Sequence, residues 1–188
     1  MSTTVTDKIR WTTADLELFP DDGKRYEIID GELFVTRAPD WKHQEVCVKV
    51  ATQLEIWSTQ ANNGRTAICP GMIFTDADNV IPDVVWASNE RLAEILDEAG
   101  HLIGAPELVV EVLSPGAVQE RRDRELKLKL YSVQGVREYW ICDRQPIKVE
   151  VYRRENGILK LAATLFKEDN LTSPLLPEFS CPVASLFR

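Results

Sequence analysis

The segment Glu107–Gly116, ELVVEVLSPG, constrains the fold of this chain more than any other stretch. Leu108, Val109, Val110, Val112 and Leu113 cover both faces of an extended run, the pattern of a strand enclosed between two layers. Glu111 interrupts it. An ionised carboxylate stripped of water is destabilised by several kcal/mol unless a cation or hydrogen bonds replace the solvent. The fold must therefore bring a basic side chain or a metal to Glu111, and the other segments have to supply it.

Three segments offer inward-facing polar groups. Residues 41–60 predict a helix whose buried stripe is Cys47, Val50, Leu54 and Trp57, with His43 on that stripe and Glu45 facing away. In VIPDVVWA, residues 80–87, alternation puts Asp83 on one strand face with Ile81 and Val85, while Val84 and Trp86 face the other way. The third is a helix over residues 118–134. With Leu126 as origin and 100° per residue, Leu130 falls at about 40°, Val133 at about 340°, Asp123 at about 60° and Lys127 at about 100°. Lys127 and Asp123 thus point inward, whereas Glu125 and Lys129 point to solvent. Two carboxylates and a lysine suit a hard divalent cation with oxygen ligands, and equally suit a plain buried ion-pair cluster.

The rest reads as one α/β domain over residues 1–188, with a core at about 25–143 and a C-terminal hairpin and irregular strap over 144–188. Residues 1–10 read as a polar tail. YEIIDGELFV, residues 26–35, is a hairpin turning at Asp30-Gly31, where Glu27 and Glu32 read as solvated charges. Strands are expected over 66–75, 80–87, 136–142, 149–153 and 159–166, and a surface helix over 89–99. Four scattered cysteines without CxxC spacing point to reduced thiols in a cytoplasm. No apolar run reaches the ~20 residues that span a bilayer. A net charge of −8 argues against broad, unspecific nucleic-acid binding.

The order helix, strand pair, Pro-Asp strand, Glu strand, helix, strand is similar to the core of the PD-(D/E)XK nucleases. More closely, the chain resembles the Uma-type "putative restriction endonuclease" family of that superfamily, through YEIIDGELF, the His43 helix, PDVVW (82–86), PELVVEVLSPG (106–116), RRDRELKLKLYS (121–132) and GVREYWICD (135–143). The resemblance implies a restriction endonuclease-like fold, a central mixed β-sheet flanked by helices with extra N-terminal and C-terminal β-hairpins. It implies hydrolysis of DNA phosphodiesters, with Asp83, Glu111 and the Val112 carbonyl holding Mg²⁺ or Mn²⁺ and Lys127 acting on the attacking water or the phosphate. His43 would support the site or touch phosphate, Asp123 would fix Lys127, and a homodimer without membrane attachment is implied. Leu113 stands where the superfamily pattern has its lysine, and Lys127 resembles that lysine relocated to the next helix. On this reading Lys127→Ala abolishes cleavage and leaves folding intact. Arg121, Arg122, Arg124 and Lys129, with Lys24, Arg25, Arg37 and Lys42, are the candidate DNA contacts. Two alternatives stay open: a nuclease-like interaction module without chemistry, and a metal-dependent hydrolase of another phosphate ester.

Overall fold

A computed structural model describes residues 9–187. The polar tail expected over residues 1–10 therefore lies largely outside the described residues. After a short helix α1 (Thr13–Leu16), strands β1 (Arg25–Ile29) and β2 (Glu32–Thr36) form the expected hairpin. Asp30 and Gly31 both have positive φ, 51° and 71°, the two-residue turn that suits the strand twist and that Asp-Gly favours. Helix α2 (Trp41–Ala61) starts at Asp40, whose side chain accepts the His43 N–H at 2.8 Å. Arg144 holds that cap from the other side at 2.7 and 2.9 Å, and depresses the Asp40 carboxyl to about 2. His43 is thereby placed in the first turn of a helix fixed at its N-terminus.

The extended run expected over 66–75 is two strands, β3 (Gly64–Ile68) and β4 (Met72–Thr75). Cys69 takes a positive φ of 52° and precedes Pro70-Gly71, so the chain leaves one sheet and enters another. β5 (Asp78–Val80) and β6 (Val84–Ser88) divide in the same way, and Asp83 sits at the break. β4 and β5 join the hairpin in a four-stranded sheet of order β2-β1-β5-β4. Helix α3 (Asn89–Ile95) follows, then β7 (Leu108–Val112), buried at all five positions.

Helix α4 (Ala117–Arg121) runs through a π-helical segment, Arg122–Lys127, into α5 (Leu128–Gln134). The wider π turn shifts the phase expected from a uniform helix. Arg122, Asp123, Lys127, Leu130 and Tyr131 are buried, whereas Val133 is 71% exposed instead of inward. Strands β8 (Glu138–Arg144), β9 (Ile147–Glu155) and β10 (Ile158–Phe166) complete a six-stranded sheet of order β10-β9-β8-β7-β6-β3. Among the described residues only β7 and β8 are parallel neighbours in it, so the sheet is mixed.

The strap is more regular than expected. It forms a hairpin, β11 (Asn170–Ser173) with β12 (Leu176–Pro182), and a final turn of helix, α6 (Val183–Leu186). A two-stranded ribbon leaves each strand a free edge, which is where proline is tolerated. Buried Glu138 ties the ribbon to the sheet by accepting from Ser173 Oγ at 2.8 Å and Trp140 Nε1 at 2.7 Å. Alternation along β7 divides the core. Leu108, Val110 and Val112 pack towards α2 and the C-terminal ribbon, and Val109 packs with the four-stranded sheet and α5. Glu111 belongs to the second face.

Candidate functional site

Val84 pairs with Val110 and Val85 with Val109 across β6 and β7. One step further along that register Asp83 stands opposite Glu111, and Asp83 Oδ2 accepts the Val112 N–H at 2.9 Å. Glu111 Oε1 accepts from Lys127 Nζ at 2.8 Å and from Tyr131 Oη at 2.9 Å, both on the helix after β7. Asp83, Glu111 and Lys127, the triad inferred from periodicity, thus share one buried cluster.

His43 brings α2 to the same place. Its Nε2 lies 3.1 Å from Asp83 Oδ1, and its Nδ1 lies 3.4 Å from Ser114 Oγ. The contact pairs the imidazole with the Asp83 carboxylate, off the line of an ideal hydrogen bond. Asp123 is buried, as its helical phase predicts, and lies within the electrostatic reach of Lys127. It pairs with Arg122, Oδ1 to Nε at 2.9 Å, and no hydrogen bond joins it to Lys127. Its backbone carbonyl accepts from Tyr139 Oη at 3.0 Å.

What fixes Lys127 is Glu27, whose Oε1 is 2.8 Å from Nζ and also accepts the Ile81 N–H at 2.9 Å. Glu27 Oε2 faces Arg122 at 3.4 Å. Glu27 is therefore a buried member of the cluster, whereas Glu32 is exposed as expected. Two residues earlier on the same face of β1, Arg25 reaches Asp83 Oδ1 at 3.0 Å and Cys69 Sγ at 2.8 Å. Both residues were missed as site members. The signal for Glu27 was the one that marks Glu111: a carboxylate in an apolar extended run, here beside Ile28 and Ile29. Nothing local marks Arg25.

Four carboxylates (Glu27, Asp83, Glu111, Asp123) meet three side-chain cations (Arg25, Arg122, Lys127) among the described residues. Burial opposes ionisation of Asp83, but His43, the Val112 amide and Lys127 hold its carboxyl far below the usual range. Burial likewise opposes ionisation of Glu27, and Lys127 and Arg122 outweigh it. Glu111 goes the other way. Burial pushes it up against the pull of Lys127, and Asp83, Asp123 and Glu27 add to the rise. Lys127 is desolvated too, yet Glu111 and Glu27 raise its pKa and keep it an ammonium. One lysine shared by two carboxylates leaves Glu27 charged and Glu111 as the place where surplus negative charge is relieved by a proton. A divalent cation beside Asp83 and Glu111 relieves the same surplus, so the donor set fits a hard metal.

Residues 13–184 match the family described as "Uma2: Putative restriction endonuclease". The chain belongs to this family. Among solved structures it is similar to a "putative nuclease belonging to DUF820" from Anabaena variabilis, at a TM-score of 0.75 and 19% identity, covering 94% of this chain and 97% of that one. At that identity the likeness establishes the fold. No curated protein matches the sequence.

The Uma2-family chain also separates the basic residues that the sequence groups together. Arg122 is buried, and Arg25 reaches Asp83 from the edge of the cluster with 21% of its side chain exposed. Arg124 is tied to Glu150 and Asp143, Arg121 to Glu125, and Lys24 to Asp22. No helix among the described residues is long and apolar enough to cross a membrane.

Proposed function

We propose that this Uma2-family chain is a metal-dependent DNA endonuclease using Asp83, Glu111 and Lys127. The observation that carries the reading is the cross-strand placement of Asp83 and Glu111, with the Lys127 ammonium 2.8 Å from Glu111. Asp83 and Glu111, with the Val112 carbonyl, would hold Mg²⁺ or Mn²⁺. Such a cation supplies charge neutralisation at the scissile phosphate and a water of lowered pKa.

The side chains do the rest. Tyr131 donates to Glu111 and orients it, and the Val112 amide orients Asp83. Lys127, kept protonated by two carboxylates, serves as a donor to the phosphate or the attacking water rather than as the base. Arg25 is the outermost member of the cluster, with 21% of its side chain exposed against 4% for Asp83 and His43. It neutralises Asp83 from the solvent side and is placed to move onto a phosphodiester.

Hydrolysis adds the hydroxyl of water to phosphorus, breaks one P–O ester bond and leaves the proton on the departing oxygen. A homodimer belongs to the same reading. β10 is an edge strand of the larger sheet and exposes Ile158, Leu161 and Phe166, a surface suited to pairing with a second copy.

Incubating supercoiled plasmid with the protein at low salt, with Mg²⁺ and then Mn²⁺, tests the activity. Nicking or linearisation that EDTA and Glu111→Gln abolish is the expected result. Intact plasmid with both metals would overturn the reading.

A further inference from the structure

A second donor set adjoins the triad on its α2 side. His43 and Cys47 are four residues apart on α2, so they face the same way, as do the paired ligands of helical metal motifs. Their donor atoms and a carboxylate oxygen of Asp83 all lie within 4.8 Å of one another, and all three residues are buried. A tetrahedral zinc holds its donors about 3.5 Å apart, so small side-chain rotations complete the geometry. His43 Nε2 is buried and faces Asp83 Oδ1 at 3.1 Å without hydrogen-bond alignment, so the imidazole and the carboxylate already converge on one point. Cys47 has no place in the proposed hydrolysis. Its packing accounts for an apolar side chain there, but not for the imidazole nitrogen facing it.

We propose that His43, Cys47 and Asp83 form a site for a borderline-soft divalent cation of the zinc class, and that filling it excludes the hard cation by taking Asp83. Nitrogen, sulfur and oxygen donors together select zinc or cobalt over magnesium, which takes oxygen ligands and keeps its waters. The thiol binds as thiolate, its proton displaced by the cation. Three protein ligands leave a fourth position for solvent, since the Cys69 thiol is engaged by Arg25 at 2.8 Å. Zinc would thus switch the centre off by claiming a shared ligand. The exclusion, though not the site, rests on the hard-cation centre proposed above.

Cobalt(II) binding to the whole chain reads the site without DNA. A thiolate-to-cobalt charge-transfer band is expected in the unaltered protein, retained in Cys69→Ala and lost in Cys47→Ala. Competition with a chromophoric chelator is expected to show zinc affinity falling at least about ten-fold in Cys47→Ala. Absence of the band, or its survival in Cys47→Ala, would overturn the site, and the band in the unaltered protein needs no variant to fold. Manganese calorimetry with and without zinc then reads the exclusion. Loss of manganese binding when zinc is present supports it, and unchanged manganese affinity overturns it. Manganese that fails to bind even without zinc overturns the exclusion through the hard-cation reading, while the cobalt band still decides the site.

Discussion

Lys127 Nζ lies 2.8 Å from both Glu27 and Glu111, with 1% of its side chain exposed. Removing it strands two buried carboxylates, which changes what its mutation does. Breaking a buried pair from one side destabilises by about 3–5 kcal/mol. Lys127→Ala is therefore expected to lower the urea midpoint as well as cleavage, contrary to the intact folding expected from sequence. The pH dependence of stability follows from the same residues. Glu111 binds its proton more tightly folded than unfolded, where the ordinary value of 4.5 applies. Above that pH the folded chain holds more protons, so stability falls as pH rises towards the raised value. Asp83 and Glu27 are depressed on folding, so their contribution is present above ordinary carboxylate values and lost as pH falls through the depressed ones. Asp123, raised by its burial, adds to the decline at higher pH. Urea titrations across pH are expected to peak in the mildly acidic range, and Glu111→Gln to reduce the decline on the alkaline side only.

Among the elements, the π segment is the device that lets one helix serve the site twice. Arg122 and Asp123 face inward at its start, Lys127 at its end and Tyr131 one turn beyond it. Deleting Glu125, an exposed residue within it, would close the segment to ordinary helix and turn one of the two sets by about 100°. The helix is expected to survive by circular dichroism, while divalent-metal affinity measured by calorimetry falls. Most elements were legible because their signals are local. Alternation marked β6, an apolar run covering both faces marked β7, helical spacing marked α2, and Asp-Gly marked a turn whose two residues take positive φ. The π turn was not legible, since its widening shows only as a phase slip that ends with Val133 in solvent. The division of residues 64–88 between two sheets was missed as well. Cys69-Pro70-Gly71 signals a break, but not which strands each half will join.

Across the whole molecule, the formal charge of −8 leaves DNA binding to local geometry, and the basic helix residues are mostly paired with acids. Long-range attraction is then weak. The larger sheet ends on one side at β3, where Glu55 accepts the Thr66 N–H at 3.2 Å and α2 packs close by. On the other side it ends at β10, nine residues long, with Lys160 its one charged residue. Ser132 Oγ on α5 accepts the Leu159 N–H at 3.0 Å near its start, and an edge strand with so little charge beyond that point is a template for pairing with another chain. Sedimentation equilibrium is expected to show a dimer, and Leu161→Lys, which places a charge on that edge, to yield a monomer. A monomer before the substitution would remove β10 as the interface.

The sequence by itself determined the order of the core elements, the buried strand that carries Glu111 and the inward phase of Asp83, His43 and Lys127. It did so because burial leaves a periodic imprint along a strand or helix, and a charge that breaks the imprint is visible without coordinates. Tertiary structure alone decided which charges neutralise which. Glu27 and Arg25 enter the cluster because the first hairpin packs against it, and Arg122 links Asp123 to Glu27. Those pairings join residues as far apart as 100 positions in the chain, Glu27 with Lys127, and such contacts are set by packing between elements, which no local periodicity records.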